Sequence, residues 1–359
     1  MTKGKILILY YEIMGYMLTG LEAFAKEYPG IELHVFELNH KKITTFSFTT
    51  DKFFHYRKTD FSGYDSFRQK CLDIKPELLV VSGRSDKHYL RLAKELAKKI
   101  YTVTIQDTQL NNTYNIKAQV LLSRILYRPY FHGFWGCGKY GCAFGYALGF
   151  KKKDIYNYAY TADTHFFSAH RKTYQPQQDK TILFVGRLVA QKNIISLTRA
   201  FLECNAKQNA KWKLVIVGDG PLKQQLPVDD NIIHHAFTDR ATLVKIARDA
   251  DVFCLPSIEE PWGVVVHEFA SMGLALLLSD KCGSAHEFLI NGYNGLMFDP
   301  EKEDDLTVKL NTIMLWDTAA FQRMGENSIH LSQRVSPEIW ANTLYAMYLN
   351  GQNFIAQKN

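Results

Sequence analysis

Nowhere does this chain carry a run of about 18 uncharged apolar residues, so no segment of it reads as spanning a bilayer. Its longest apolar stretch, from Gly263 to Leu278, is broken by His267 and Glu268. A secretory leader is not seen either: Lys3 and Lys5 run straight into Ile6–Tyr11, which is strand length. Cysteine is sparse, at positions 71, 137, 142, 204, 254 and 282, and without a leader this implies free thiols in a reducing cytosol. Cys137 and Cys142 flank a short loop, but no second pair completes a zinc site, so no metal is expected. Repeats and low-complexity tracts are missing. So are a basic recognition helix and an RNA-binding signature, which argues against nucleic acid as a partner. A dinucleotide oxidoreductase would need a strand opening into the G-x-G-x-x-G fingerprint; no such run is expected here, and that reading is set aside.

What is present fits two ordinary cores. The chain has 359 residues, 47% hydrophobic and 22% charged, beyond the usual size of one domain. Charge is uneven: residues 1–170 carry 24 Lys and Arg against 15 Asp and Glu, and residues 171–359 carry 19 against 21. A basic first half beside a near-neutral second half suggests that one domain faces an anionic partner, either a membrane leaflet or a lipid diphosphate.

Apolar strand-like runs alternate with amphipathic helical segments throughout, the pattern of parallel α/β domains. The first half offers strands at Ile6–Tyr11, Glu32–Phe36, Leu78–Ser82, Tyr101–Ile105 and Gly133–Gly136. The second offers Thr181–Val185, Lys213–Val217, Ile232–Ala236, Val252–Leu255 and Ala275–Ser279. A polar, Pro-containing break over 171–180 sets the expected domains at 1–170 and 171–335. A terminal helix comes last, over 336–359, with Trp340, Leu344 and Met347 on one stripe.

The most informative stretch is 259–268, Glu-Glu-Pro-Trp-Gly-Val-Val-Val-His-Glu. It lies between an apolar strand and an Ala/Met/Gly-rich helix. Pro261 suits the first helical position, and Gly263 allows a ligand near unpaired first-turn amides. Such a start suits phosphate. Glu260 would stand at its mouth and Glu268 two turns inside. The other reading is a capped surface helix with two solvated acids. Asp249-Ala-Asp251 has the spacing of a metal-binding acid pair, but it sits at a helix-to-strand junction where turn chemistry explains it.

Three more stretches accompany the decapeptide: Thr181–Leu188 ending in Gly186-Arg187 with Lys192-Asn193 beyond, Lys213–Pro221 ending in Gly-Asp-Gly-Pro, and Asp280–Glu287 leading into Asn291–Phe298. In this order and spacing, residues 180–335 resemble the nucleotide-sugar half of glycosyltransferase family 4, the retaining GT-B enzymes. Val80–Asp86, Thr104–Thr108 and Tyr160–Phe167 look like that family's acceptor-domain strands and interdomain segment.

The resemblance implies two Rossmann-like α/β domains facing a cleft, with the last helix crossing back to the first domain. It also implies sugar transfer, with retention, from a UDP- or GDP-linked nucleotide sugar to a glycan or lipid-linked acceptor. No metal or other cofactor would be needed. Arg187, Lys192 and the amides around Gly263-Val264 would neutralise the leaving diphosphate. Glu268 would take the ribose hydroxyls, and Glu260 would face the donor sugar. Gly186 belongs to the same turn, and Phe237 either borders the base or is core. Asp219 forms a turn. Gly15 would bring one backbone amide near the diphosphate, and Glu12 is either acceptor-facing or an exposed loop acid.

This chain departs from the family at several places. Gln106-Asp107 stands where relatives often carry a His, and Asp107 either serves the sugars or caps the next helix. Cys282-Gly283 replaces paired glycines, Trp262 a Phe, and His267 an aliphatic residue. From 39 to 67, Lys41, Lys42, Lys52, Arg57 and Lys58 interleave with Phe46, Phe48, Phe53, Phe54, Tyr56 and Phe61. That mixture is either an interfacial membrane contact or core rings among solvated lysines. The expected protein is a cytoplasmic transferase in cell-surface polysaccharide or glycan assembly, with a peripheral place on the inner face of the membrane left open. The alternative is a non-catalytic sugar-nucleotide scaffold on the same fold.

Overall fold

The computed structural model describes residues 4–38, 48–83, 86–109, 114–174, 180–208 and 211–358. They form two compact units: 1–161 together with 335–359, and 162–334.

The first unit opens with β1 (Gly4–Tyr10), α1 (Gly15–Glu27), β2 (Ile31–Glu37), β3 (Phe54–Arg57) and α2 (Tyr64–Ile74). It continues through β4 (Leu78–Ser82), α3 (Lys87–Leu96), β5 (Tyr101–Ile105), α4 (Tyr114–Leu126), β6 (Gly133–Trp135), α5 (Gly138–Ala147) and β7 (Ile155–Tyr156). All strand pairs are parallel, in the order β3-β2-β1-β4-β5-β6-β7. Strands covered on both faces must be apolar along their length, and Ile6, Leu7, Ile8 and Leu9 are fully buried.

The second unit runs α6 (Thr164–Ala169), β8 (Thr181–Val185), α7 (Ile194–Lys207), β9 (Lys213–Val217), β10 (Ile232–His235), α8 (Arg240–Arg248) and β11 (Val252–Leu255). Then come α9 (Val264–Ser271), β12 (Ala275–Ser279), α10 (Ala285–Phe288), β13 (Gly295–Phe298), α11 (Asp305–Met314) and α12 (Thr318–Ser332). Its parallel sheet is ordered β10-β9-β8-β11-β12-β13, the doubly wound Rossmann order. In such sheets ligands sit beyond the carboxyl ends of the strands where the order reverses, here β8 and β11.

The last helix, α13 (Pro337–Ala356), belongs to the first unit. Its stripe of Trp340, Leu344 and Met347 is fully buried. Trp340 lies so close to Gly20 of α1 that a Cβ there would stand 2.6 Å from the indole. The same indole donates to the Ala159 carbonyl at 2.9 Å. The units part at 161/162, nine residues before the polar break read from the sequence. One reason is that His267 on α9 accepts from the Ala162 amide at 3.1 Å, which fastens the crossing segment to the second unit.

The aromatic and basic segment also resolves in part. Lys41, Lys42 and Phe46 lie outside the described residues. Phe53 is buried, and Tyr56 and Phe61 pack on the core cluster. Lys58 pairs with Asp86 and lies over the Tyr89 ring. Most of the described rings here are therefore core, and Lys58 is used internally.

Candidate active site

Gly186 and Arg187 come directly after β8, where the Gly186 amide donates to Val217 at 3.0 Å. Arg187 is exposed, with no ion pair among the described residues. A single 3₁₀ turn, Ala190–Lys192, then carries Lys192 back over the strand end, and Asn193 in the left-handed region opens α7. Lys192 Nζ donates to the Glu260 carboxylate, which also accepts from Ser257 Oγ at 3.4 Å. One cation from the β8 loop and one acid from the β11 loop thus meet where the strand order reverses.

The β11 loop is held by its own backbone. Glu260 donates its amide to Lys281 at 3.2 Å and accepts from Gly283 at 3.0 Å. Ser284 donates its amide to Trp262 at 2.9 Å and its hydroxyl to Gly263 at 3.0 Å. Gly263 has φ +84°, a region costly for a side chain, and a Cβ there would sit 3.1 Å from Glu260 Cγ. Gly263 immediately precedes the helix, so α9 starts at Val264 with no side-chain cap. Pro261 therefore lies outside the helix, three residues before its first turn, and not at its first position. Glu268 correspondingly sits one turn inside α9, not two. The start of α9 follows directly on the Glu260 loop and has no side-chain cap, an arrangement suited to an anion.

Glu268 is partly buried, and burial pushes its carboxyl up to about 7. Arg240 opposes that rise and Asp163 adds to it. Arg240 pairs with Asp163 at 3.0 Å and covers the Phe166 ring at 3.9 Å. The sequence does not single out this pair beside Glu268, because Arg240 reads as an ordinary first-turn helix residue. Burial, helped by Glu260, drives the Cys282 thiol up to about 12, so it is an inert packing group.

Phe237 is 63% exposed and therefore not core. Its amide donates to Asp219 Oδ2 at 2.7 Å, so the Gly-Asp-Gly-Pro acid sets the path of the loop after β10. His267 is fully buried: its Nδ1 accepts from Ala162, its Nε2 donates to the Ser332 carbonyl at 2.9 Å, and its ring stacks on Phe288. It is a fastening residue. Asp251 accepts from the Thr181 amide at 2.9 Å and faces Lys172 and Lys180, which accounts for it structurally.

In the first unit, Gly15 begins α1 at the carboxyl end of β1. Asp107 lies just past β5, and its charge raises the phenols of Tyr10, Tyr16 and Tyr160, for which burial is the larger cause. It stands seven positions before α4 and so is not the cap of that helix. Gln106 is taken up inside, donating to Thr104 at 3.1 Å and Tyr127 at 2.9 Å. The G-x-G-x-x-G spacing does occur once, at Gly136–Gly141, after β6 and into α5. It serves packing: the Gly138 amide is taken by Asn157 Oδ1 at 2.7 Å, and a Cβ on Gly136 would press on Gly141 at 2.9 Å.

Two Rossmann-like units with this strand order define the GT-B class of glycosyltransferase fold. Residues 166–330, most of the second unit, match the family described as Glycosyl transferases group 1. An uncharacterized glycosyltransferase of Methanocaldococcus jannaschii, MJ1607, is 33% identical over 143 residues, covering 38% of this chain and 36% of its own length. A Campylobacter jejuni enzyme is 28% identical over 141 residues, 38% of this chain and 39% of its own. Its name describes an α-1,4-N-acetyl-D-galactosaminyltransferase acting on a diphospho-undecaprenol-linked sugar. Matched sequence thus spans little more than a third of either relative. Among solved structures, Anabaena Alr3699/HepE in complex with UDP and glucose superposes with TM-score 0.71 at 14% identity, covering 97% of this chain and 100% of that one.

Proposed function

We propose that the chain is a glycosyltransferase that moves a sugar, with retention, from a UDP- or GDP-linked donor to a glycan or lipid-linked acceptor without a metal. The observation that carries this reading is the meeting of Lys192, Glu260 and the uncapped start of α9 beyond β8 and β11, with Glu268 one turn further in. As the sugar–phosphate bond stretches, negative charge grows on the diphosphate. Arg187 offers it a planar fork, Lys192 a compact charge and Val264 a backbone amide. A carboxylate on Glu268 accepts two vicinal hydroxyls, which suits a ribose. The acceptor reading draws on the lipid-linked substrate named for the Campylobacter relative, and the donor reading on the UDP in the Anabaena structure.

Incubation with a panel of nucleotide sugars tests this. Slow release of nucleoside diphosphate that survives excess EDTA is expected. Activity abolished by the chelator and restored by Mg²⁺ or Mn²⁺ would overturn the metal-free reading. Binding without any turnover, with or without acceptor, would favour a scaffold.

A second expectation concerns Glu268. A buried acid raised to about 7 stabilises the folded protein as its neutral form, and that stabilisation is lost as pH rises through 7. Hydroxyl donors favour the carboxylate instead. Nucleoside diphosphate binding near pH 7 should therefore release protons, seen as a calorimetric enthalpy that varies with buffer ionisation enthalpy. Glu268→Gln should abolish that variation and weaken binding. Unchanged affinity in this variant would remove the ribose role.

A further inference from the structure

We infer that the outer face of α4 is an interfacial docking surface for an anionic lipid bilayer. Helices on a sheet normally turn their apolar side inward. Here the outer side is aliphatic as well over the last two turns. Ser123 is buried, whereas Leu121, Leu122, Ile125 and Leu126 are 64%, 58%, 71% and 63% exposed. Spaced i, i+1, i+4 and i+5, the four share one side of the helix. Inward contact is left to Val120, Ser123 and Tyr127. Isolated exposed aliphatics need no explanation, but four adjacent ones do.

Charge identifies the occupant. Between Asp107 and Asp163 the sequence holds seven Lys and Arg and one acid, Asp154. Arg124 projects from the same two turns and donates to the Ala147 carbonyl at 2.8 Å, tying α4 to the end of α5. There Tyr146 is 46% exposed, and Lys151, Lys152 and Lys153 come next in an exposed loop. Arg128, just past α4, covers the Phe150 ring at 4.4 Å. None of Lys117, Arg124 and the three loop lysines is paired with a carboxylate among the described residues. A strip of aliphatic side chains rimmed by such cations matches the acyl boundary and headgroups of an anionic leaflet. No helix among the described residues is long and apolar enough to cross a membrane, so the contact would be peripheral. This surface deepens the lipid-linked acceptor reading and rests on it for its purpose, though not for its test.

The test is co-sedimentation of the full chain with phosphatidylcholine vesicles, with and without 30 mol% phosphatidylglycerol (about a third of the lipid), at low and high salt. Binding to anionic vesicles is expected, weakened by salt because the Debye length shrinks from about 10 Å at 0.1 M to 3 Å at 1 M. Leu121→Gln, Leu122→Gln, Ile125→Gln and Leu126→Gln combined should lower partitioning at least tenfold, and Lys151→Gln, Lys152→Gln and Lys153→Gln should lower it on anionic vesicles alone. All seven side chains are outside the catalytic machinery, so nucleoside diphosphate release from the donor should persist. Equal binding by wild type and the aliphatic variant would overturn the proposal. So would wild-type self-association that the aliphatic variant abolishes, which would assign the face to a second copy. Loss of donor turnover in the wild type, with vesicle binding intact, would instead remove the transferase reading and leave this one standing.

Discussion

Arg187→Ala and Lys192→Ala are each expected to lower turnover at least about a hundredfold, which is about 2.7 kcal/mol of barrier. Circular dichroism should be unchanged in both. Arg187 is exposed and carries no ion pair among the described residues, so truncating it costs the fold little. Its loss should therefore fall on kcat, where developing diphosphate charge would go unanswered, more than on KM. Lys192 needs a finer comparison, because in the ligand-free protein it pairs with Glu260. Its truncation removes a diphosphate cation and also takes the counter-charge from a half-buried carboxylate. Glu260→Gln, alone and with Lys192→Ala, separates the two effects. If the lysine served only to pair Glu260, the double variant would be no slower than Glu260→Gln. A further loss in the double variant assigns Lys192 to the donor. Near-normal rates in Arg187→Ala and Lys192→Ala alike would sink the diphosphate assignment.

Much of this site can be read along the chain because its parts are turns at strand ends. A buried parallel strand announces itself as an unbroken apolar run, and the turn after such a strand must leave the sheet at the carboxyl end where ligands bind. That is why Thr181–Val185, Lys213–Val217, Val252–Leu255 and Ala275–Ser279 coincide with strands, and why Gly186, Lys192 and Glu260 come together. Edge strands are less legible. Phe54–Arg57, Ile155–Tyr156 and Gly295–Phe298 are short, and Phe54–Arg57 mixes aromatic with polar side chains. The sequence misplaces the start of α9 because Pro261 is a good first helical residue in general, whereas here the left-handed Gly263 intervenes and delays the helix. Arg240 beside Glu268 arises from pairing between distant elements, and no local spacing signals it. The aliphatic outer side of α4 is hidden for a related reason: an Ile/Leu-rich segment reads as buried until the sheet shows which side it packs.

The second large effect is structural. Asp251→Ala should destabilise the second unit by about 3–5 kcal/mol, the cost of stranding a buried partner charge. Asp251 is 2% exposed and immediately precedes β11, the strand that delivers the Glu260 loop. Its carboxylate accepts from the Thr181 amide at 2.9 Å and faces Lys172 at 3.5 Å and Lys180 at 3.6 Å. Lys180 has some access to water, but the Lys172 side chain is only 1% exposed. Without Asp251, Lys172 Nζ keeps the Asp249 carbonyl at 3.2 Å and the Tyr174 ring, and the influence of the Asp249 charge is smaller than that of Asp251. Burial already lowers the Lys172 pKa, with Asp251 opposing. Removing that opposition should depress it further, so the folded variant binds fewer protons than the unfolded chain. Its stability should consequently rise with pH, and the deficit should narrow under alkaline conditions. Asp251→Asn keeps an acceptor for Thr181 and should lose less. Lys172→Met in the Asp251→Ala background should restore part of the deficit, because an apolar side chain leaves no stranded charge. Urea unfolding at several pH values, with amide exchange read in β8 and β11, measures all of this. A deficit below about 1 kcal/mol, or one that widens with pH, would mean that Asp251 is not the counter-charge of Lys172.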